Sequence, residues 1–267
     1  MAEIEIGIGK SGRQAYGLDD IAIVPSRRTR DPEDVDVSWQ IDAYTFDLPV
    51  LASAMDGVSS PATCIEMGKL GGLGVLNLEG LWTRYEDPEP LLQEIAELDQ
   101  EVATARMQEI YKQPVQPELI GRRVEEMAAA GITVAASLTP QKVNEWHSLA
   151  LDAGLDILVI QGTVVSAEHV STRSEPLNLK EFIARYDIPV IVGGCASYSS
   201  ALHLMRTGAA GILVGVGPGN ACTTRGVLGL GVPQATAIAD AAGARSRHLE
   251  ETGRYVQIIA DGGMRTG

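Results

Sequence analysis

Several familiar patterns are missing from this sequence. It has only three cysteines, Cys64, Cys195 and Cys222, scattered over 267 residues. So sparse and odd a set builds no disulfide framework and fits a reducing compartment. The opening MAEIEIGIGKSGRQAYG lacks the continuous apolar core of a signal peptide, and no run reaches the length of a membrane span. Cations are scarce: 21 Lys and Arg stand against 35 Asp and Glu, a formal net charge of −14. Such a surface repels nucleic acid and anionic lipid, so neither is expected as a partner. The four histidines show no pair at metal-ligand spacing, which argues against a zinc site. His147 and His203 fall in helical patterns and are expected to face solvent or the wall of the fold, whereas His169 lies in the loop SAEHVSTRSE, within reach of a strand end. The expectation is a cytoplasmic protein in which any bound phosphate is held by backbone N–H groups or a few placed cations.

What the chain does have is repetition. Seven short apolar runs rich in Val and Ile occur at 46–53, 71–77, 131–137, 155–161, 188–194, 210–216 and 255–261. Nearly continuous apolar runs predict strands buried on both faces, as in a parallel sheet. Amphipathic stretches separate them: PATCIEMGKL, residues 89–111, PELIGRRVEEMAAAG, PQKVNEWHSLALDAG and SYSSALHLMRTGAAG. The last three close on glycine before the next apolar run, the usual helix C-terminal punctuation. Repeated βα units predict right-handed crossovers. A doubly wound open sheet and a (β/α)8 barrel both use such units. The barrel is favoured because glycines and polar residues cluster after the strands (SAMD, NLEG, QGT, GGCAS, GPGN, DGGMRTG), and a barrel gathers all these ends on one face. The reading is an α/β fold: a single (β/α)8 barrel domain over 1–267, C-terminally incomplete at about seven βα units, with 79–118 as a short insertion or extended helix.

The stretch GVGPGNACTTRG, 215–226, breaks a good strand with glycines and sets Cys222 among them. Glycines at 215, 217 and 219 let the backbone approach a ligand closely. Such a loop can turn carbonyls to a cation or N–H groups to an anion. A thiolate held near N–H groups has a lowered pKa and becomes a nucleophile. Against this stands the plain alternative of a small buried residue. Cys64 lies in an apolar helical pattern and reads as core, while Cys195 follows two glycines at a strand end and can face the same pocket. In DGGMRTG, Asp261 ends a strand, where a carboxylate can accept two ribose hydroxyls, and Gly262 and Gly263 can offer N–H groups to a phosphate; a simple Asp-Gly turn is the alternative. The glycine loop is neither a P-loop nor a dinucleotide fingerprint.

Three stretches taken together, ASAMDGVSS (52–60), GVGPGNACTTRG with GVPQAT (231–236) behind it, and IIADGGMRTG (258–267), resemble the IMP dehydrogenase and GMP reductase superfamily, closest to bacterial paralogues without a CBS regulatory domain. The resemblance covers essentially the whole chain. It implies a homo-tetrameric, NAD-dependent oxidoreductase of guanine nucleotide biosynthesis that converts IMP to XMP through a covalent thioimidate. It makes Cys222 the nucleophile and Thr224 the activating threonine. Ser53, Met55, Asn220, Asp261, Gly262 and Gly263 become nucleotide contacts, with Asp261 on the ribose. Gln161 and Gly162 fall at the dinucleotide, and the carbonyls of Gly217, Gly219 and Cys222 at a monovalent-cation site, normally K+. The loop reads GPGN where the family usually has GSGS, so Asn220 replaces a phosphate-binding serine. Cys195, Leu213 and Gln161 stand where dehydrogenases carry asparagine, arginine and aspartate. The flap arginine, the eighth strand and a second phosphate loop would follow Gly267. GMP reductase with NADPH, and a non-catalytic nucleotide-binding regulatory paralogue, are the alternative readings.

Overall fold

The computed structural model describes residues 3–168 and 176–265. His169 lies outside them, as do Thr266 and Gly267 at the end of the DGGMRTG stretch. Each predicted apolar run contains one strand: β5 (Leu51–Ala52), β6 (Leu73–Asn77), β7 (Ala135–Leu138), β8 (Ile157–Gln161), β9 (Val190–Cys195), β10 (Gly211–Val214) and β11 (Gln257–Ala260). They form one seven-stranded sheet in chain order, β5 to β11, with parallel pairing from β5 through β8 and between β10 and β11. A doubly wound sheet reverses its order at a switch point. This sheet never does, so its order is that of a (β/α)8 barrel wall with seven strands. Two antiparallel hairpins precede it, β1 (Ile4–Gly7) with β2 (Lys10–Gly12), and β3 (Trp39–Ile41) with β4 (Tyr44–Phe46). The apolar run at 46–53 is therefore divided: Phe46 closes β4, and β5 keeps two residues.

The chain clusters into two compact units. One holds Asp36–Gly162 and Glu168–Ile191, the other Met1–Val35, Thr163–Ala167 and Val192–Gly267. In the first, α1 (Pro61–Lys69) starts at a reciprocal cap: Ser60 Oγ accepts from Thr63 N at 3.0 Å, and Thr63 Oγ1 accepts from Ser60 N at 2.6 Å. Pro61 takes the first helical turn, where its missing N–H costs nothing. Cys64 is fully buried against Gly74 of β6, where a Cβ would overlap the Cys64 Cα. That glycine is what lets α1 lie this close to the strand. The 79–118 connection holds α2 (Glu89–Glu97) and α3 (Gln100–Ile110), separate because Leu98 turns extended and Asp99 opens the second helix. α4 (Pro117–Ala129) buries Leu119, Ile120, Val124 and Met127, and packs beside α5 (Val143–Asp152). Arg123, 9% exposed, is tolerated because its guanidinium donates to the carbonyls of Trp82 at 3.0 Å and Glu86 at 2.5 Å. α6 (Leu179–Arg185) completes the unit.

In the second unit, α7 (Tyr198–Arg206) lies along α9 (Gln234–Thr252), a long helix that buries Ala237, Ala241, Ala244 and His248, one residue per turn. The N-terminal segment is tied to the same helix: Arg13 pairs with Asp240, and Tyr16 N donates to Thr236 Oγ1 at 2.8 Å. The expected glycine punctuation is present, with Gly131, Gly154 and Gly208 at φ +72°, +100° and +99° after α4, α5 and α7. His203 is exposed on α7. His147 is not at the surface. It is 9% exposed, with Nδ1 on the Val143 carbonyl at 2.7 Å and Nε2 on the Tyr186 hydroxyl at 2.5 Å, and Phe182 against its ring. Both ring nitrogens are satisfied, which is how a core histidine is tolerated. Among the described residues no helix is long and apolar enough to cross a membrane, and no cluster of His, Cys, Asp or Glu can hold a metal ion.

Candidate active site

β10 ends at Val214 and runs into the glycine-rich loop; β11 ends at Ala260 and runs into Asp261. The two exits are joined. Asp261 N donates to the Val214 carbonyl at 2.8 Å, and a Cβ on Gly215 would collide with the Asp261 carbonyl oxygen. Gly262 and Gly263 both take φ +80°, a left-handed turn that favours glycine. A Cβ on Gly262 would stand 3.1 Å from Gly219 N, and one on Gly263 3.1 Å from Pro218 Cβ. The turn after β11 thus lies against the GPGN loop. Gly217, Gly219, Asn220, Cys222 and Thr224 on the loop share this corner with Asp261, Gly262 and Gly263.

Within the loop, Cys222 N donates to the Gly219 carbonyl at 3.2 Å, and Val232 N closes the loop onto the Val216 carbonyl at 3.2 Å. α8 (Thr224–Leu228) follows at once. Cys222 is exposed, and its sulfur lies 3.2 Å from Thr224 Oγ1. The Thr224 hydroxyl, then the Thr224 N–H, pull the thiol below the ordinary cysteine range. Slight burial and the Asp261 carboxylate push the other way, and the Gly217 N–H adds to the lowering. Gly217, at φ +76°, has no room for a side chain because the Arg225 stem and the Leu230 carbonyl fill the space. The other two cysteines are different in kind. Cys64 and Cys195 are buried, and burial pushes both thiols up to about 11. Cys195 is enclosed at the end of β9, 1% exposed.

In the other unit, β5 runs into the ASAMD loop. The Ser53 carbonyl accepts from Met55 N at 2.8 Å and from Ser59 Oγ at 2.7 Å, while Met55 itself is half exposed. Gln161 closes β8 and Gly162 follows it, both partly exposed.

Sequence reasoning gave no part to three residues that shape these loops. Asp56 accepts from Leu81 N at 3.0 Å and from the Tyr111 hydroxyl at the end of α3. Burial raises its carboxyl pKa, against the pull of those two donors. The second is Glu79, which accepts from Thr139 N at 2.5 Å. Two carboxylates thus tie the loop after β5 to the loop after β6, and that loop to the one after β7. An Asp before Gly reads as an ordinary turn, so nothing marked Asp56. The third is Gln234, 2% exposed, whose Nε2 donates to Val214 O at 2.7 Å and to Asp261 O at 3.3 Å. The one available sign was its place in the GVPQAT signature.

A sequence model of the IMP dehydrogenase / GMP reductase domain matches residues 15–267. The chain belongs to the IMP dehydrogenase / GMP reductase family. An IMP dehydrogenase/GMP reductase-like protein from Corynebacterium glutamicum, known as a crystal structure, is 50% identical to it with a TM-score of 0.92, covering 98% of this chain and 70% of that one. Uncharacterized oxidoreductases of Mycobacterium tuberculosis and Mycolicibacterium smegmatis are 50% and 48% identical, over 98% and 97% of this chain and 72% and 71% of theirs. An inosine-5'-monophosphate dehydrogenase of Methanocaldococcus jannaschii is 26% identical over 95% of this chain and 67% of its own. This is an oxidoreductase family, and its β10 exit in this member carries an exposed cysteine with a lowered pKa.

Proposed function

We propose that the protein is an IMP dehydrogenase, oxidising IMP to XMP with Cys222 as the nucleophile. The observation that carries the reading is the exposed Cys222 thiol. It is drawn toward its thiolate by Thr224 and sits on a loop that packs against the turn bearing Asp261. The thiolate adds to C2 of the hypoxanthine ring. Gln161 and Gly162 would hold NAD+, whose chemistry when bound would be to accept the hydride released from C2. Water then hydrolyses the resulting thioimidate, releasing XMP and returning the thiol. Asp261 accepts the ribose hydroxyls, Gly262, Gly263 and Asn220 donate to the phosphate, and Ser53 and Met55 line the base. The carbonyls of Gly217, Gly219 and Cys222 are hard oxygen donors of the kind an alkali cation takes. Such a K+ would keep the loop wrapped while the sulfur is aimed, a gain in orientation rather than in chemistry. The functional unit is a homo-oligomer, a tetramer on the family resemblance, in guanine nucleotide synthesis in the cytoplasm.

The full chain is incubated with IMP and NAD+, and in parallel with GMP and NADPH, while absorbance of the reduced nicotinamide is followed. NADH formation with IMP supports the reading. NADPH consumption with GMP reassigns the same cysteine to the reductive reaction. IMP binding without turnover in either direction moves the protein to a regulatory role. Covalent trapping by a 6-chloropurine nucleotide should disappear in Cys222→Ala; label persisting on another cysteine would remove Cys222 from the reaction.

A further inference from the structure

We infer that Gln234 is a positioning residue that fixes the nucleophile loop against the acid of β11. The claim rests on the reading above, in which one nucleotide reaches from Cys222 to Asp261. Gln234 is the first residue of α9 and is buried at 2% exposure. Its amide nitrogen donates to the last carbonyl of β10, Val214, at 2.7 Å and to the carbonyl of Asp261 at 3.3 Å. The Val214 carbonyl also takes Asp261 N at 2.8 Å, so both backbone polar groups of Asp261 are held and its Cα–Cβ bond is aimed. The stem of Gln234 does a second job. A Cβ on Gly263 would stand 3.1 Å from Gln234 Cβ and 3.1 Å from Pro218 Cβ, so the turn after β11 is clasped between the glutamine and the nucleophile loop.

The amide is kept for its donors. Gln234 Oε1 is buried and has no partner among the described residues. An orphaned buried acceptor costs stability, so an apolar residue of the same length would pack more favourably if packing were its only task. Two residues on, Thr236 N donates to the Tyr16 carbonyl at 3.2 Å, and its hydroxyl accepts from Tyr16 N. The start of α9 therefore locks the N-terminal segment and both strand exits, which gives the GVPQAT stretch a physical task that the chemistry of Cys222 alone does not.

Gln234→Met keeps length and bulk and removes both donors; Gln234→Asn keeps the amide and withdraws it by one methylene. In the full chain three rates are compared with the unmodified protein: trapping by the 6-chloropurine nucleotide, alkylation of Cys222 by iodoacetamide, and amide exchange in segments 215–222 and 261–265. In the Met variant trapping should slow by about 10-fold or more, the scale of a misplaced reacting group. Alkylation, which needs no alignment with Asp261, should hold its rate, and exchange in both segments should quicken. The Asn variant should show the same order of effects in smaller measure, and it carries the test if the Met variant does not fold. Equal loss of trapping and alkylation, or trapping at the original rate, overturns the assignment. If the unmodified protein is alkylated at Cys222 but never trapped, the nucleotide reading fails by itself. Exchange then decides the clamp: quickening in both segments upholds it, and unchanged exchange removes it.

Discussion

Cys222, Cys64 and Cys195 carry the same functional group in three different settings, and the settings decide their chemistry. At Cys222 the sulfur is exposed beside a hydroxyl and N–H groups that stabilise its charged form. At Cys64 and Cys195 the low-dielectric surroundings penalise the charge, and with pKa values of about 11 roughly one thiol in a thousand is ionised at pH 8. Alkylation under native conditions at pH 8 should therefore stop at one label per chain, on Cys222. Thr224→Val removes the largest cause of the lowering, so the midpoint of the alkylation rate against pH should move upward and the rate at pH 7 should fall. A midpoint that stays in place would make Thr224 irrelevant to the thiol. At this scale the sequence was partly legible. The glycines around Cys222 and the core pattern around Cys64 are written in one dimension. The burial of Cys195, the two aromatic partners of His147 and the reach of Gln234 to Asp261 come from contacts distant along the chain, which no local pattern encodes.

Elements followed the sequence where apolar contrast was strong. The seven strands were found because each is a compact Val- and Ile-rich run bounded by glycine or polar residues. α9 was overlooked because its inward face is alanine, which buries well but scarcely stands out from its neighbours. The helical spacing over 89–111 is carried by two helices rather than one, because Leu98 turns extended and Asp99 opens the second, a break that hydrophobic spacing alone does not register. The two hairpins are too short and too polar to announce themselves. Glycine within elements supplies the test at this scale. Gly74→Ala drives a methyl into Cys64, 2.7 Å from its Cβ, and should destabilise the protein by about 1–3 kcal/mol, the usual cost of overpacking. Gly121→Ala, within α4 and with nothing near its Cβ position, should stabilise it by about 0.5–1 kcal/mol. Urea midpoints measured side by side would check both signs. A midpoint that does not fall in Gly74→Ala would show that helix α1 is not held at contact distance from β6.

For the whole molecule the dominant quantity is charge. A net −14 spread over one chain repels itself, and ion pairs such as Arg206–Glu251 at 2.8 Å relieve only part of it. Raising NaCl from about 0.02 to about 0.3 M shortens the screening length several-fold and should raise the melting temperature. A fall on adding salt would mean that local ion pairs outweigh the global repulsion. The choice of a barrel wall over a doubly wound sheet was legible in the glycine and polar clusters after the strands, and the unreversed strand order agrees with it. The connection between β6 and α4 leaves one more consequence. Its two ends are laced together: Gln116 N donates to the Thr83 carbonyl at 2.8 Å, Gln116 Nε2 to Arg84 O at 2.6 Å, and the Tyr85 hydroxyl to Ile110 O at 2.8 Å. With the neck drawn shut, the sheet scarcely registers how much polypeptide hangs outside it, since lengthening a closed loop adds little entropy cost. Residues added or removed between Tyr85 and Ile110 should therefore leave the barrel wall as it is.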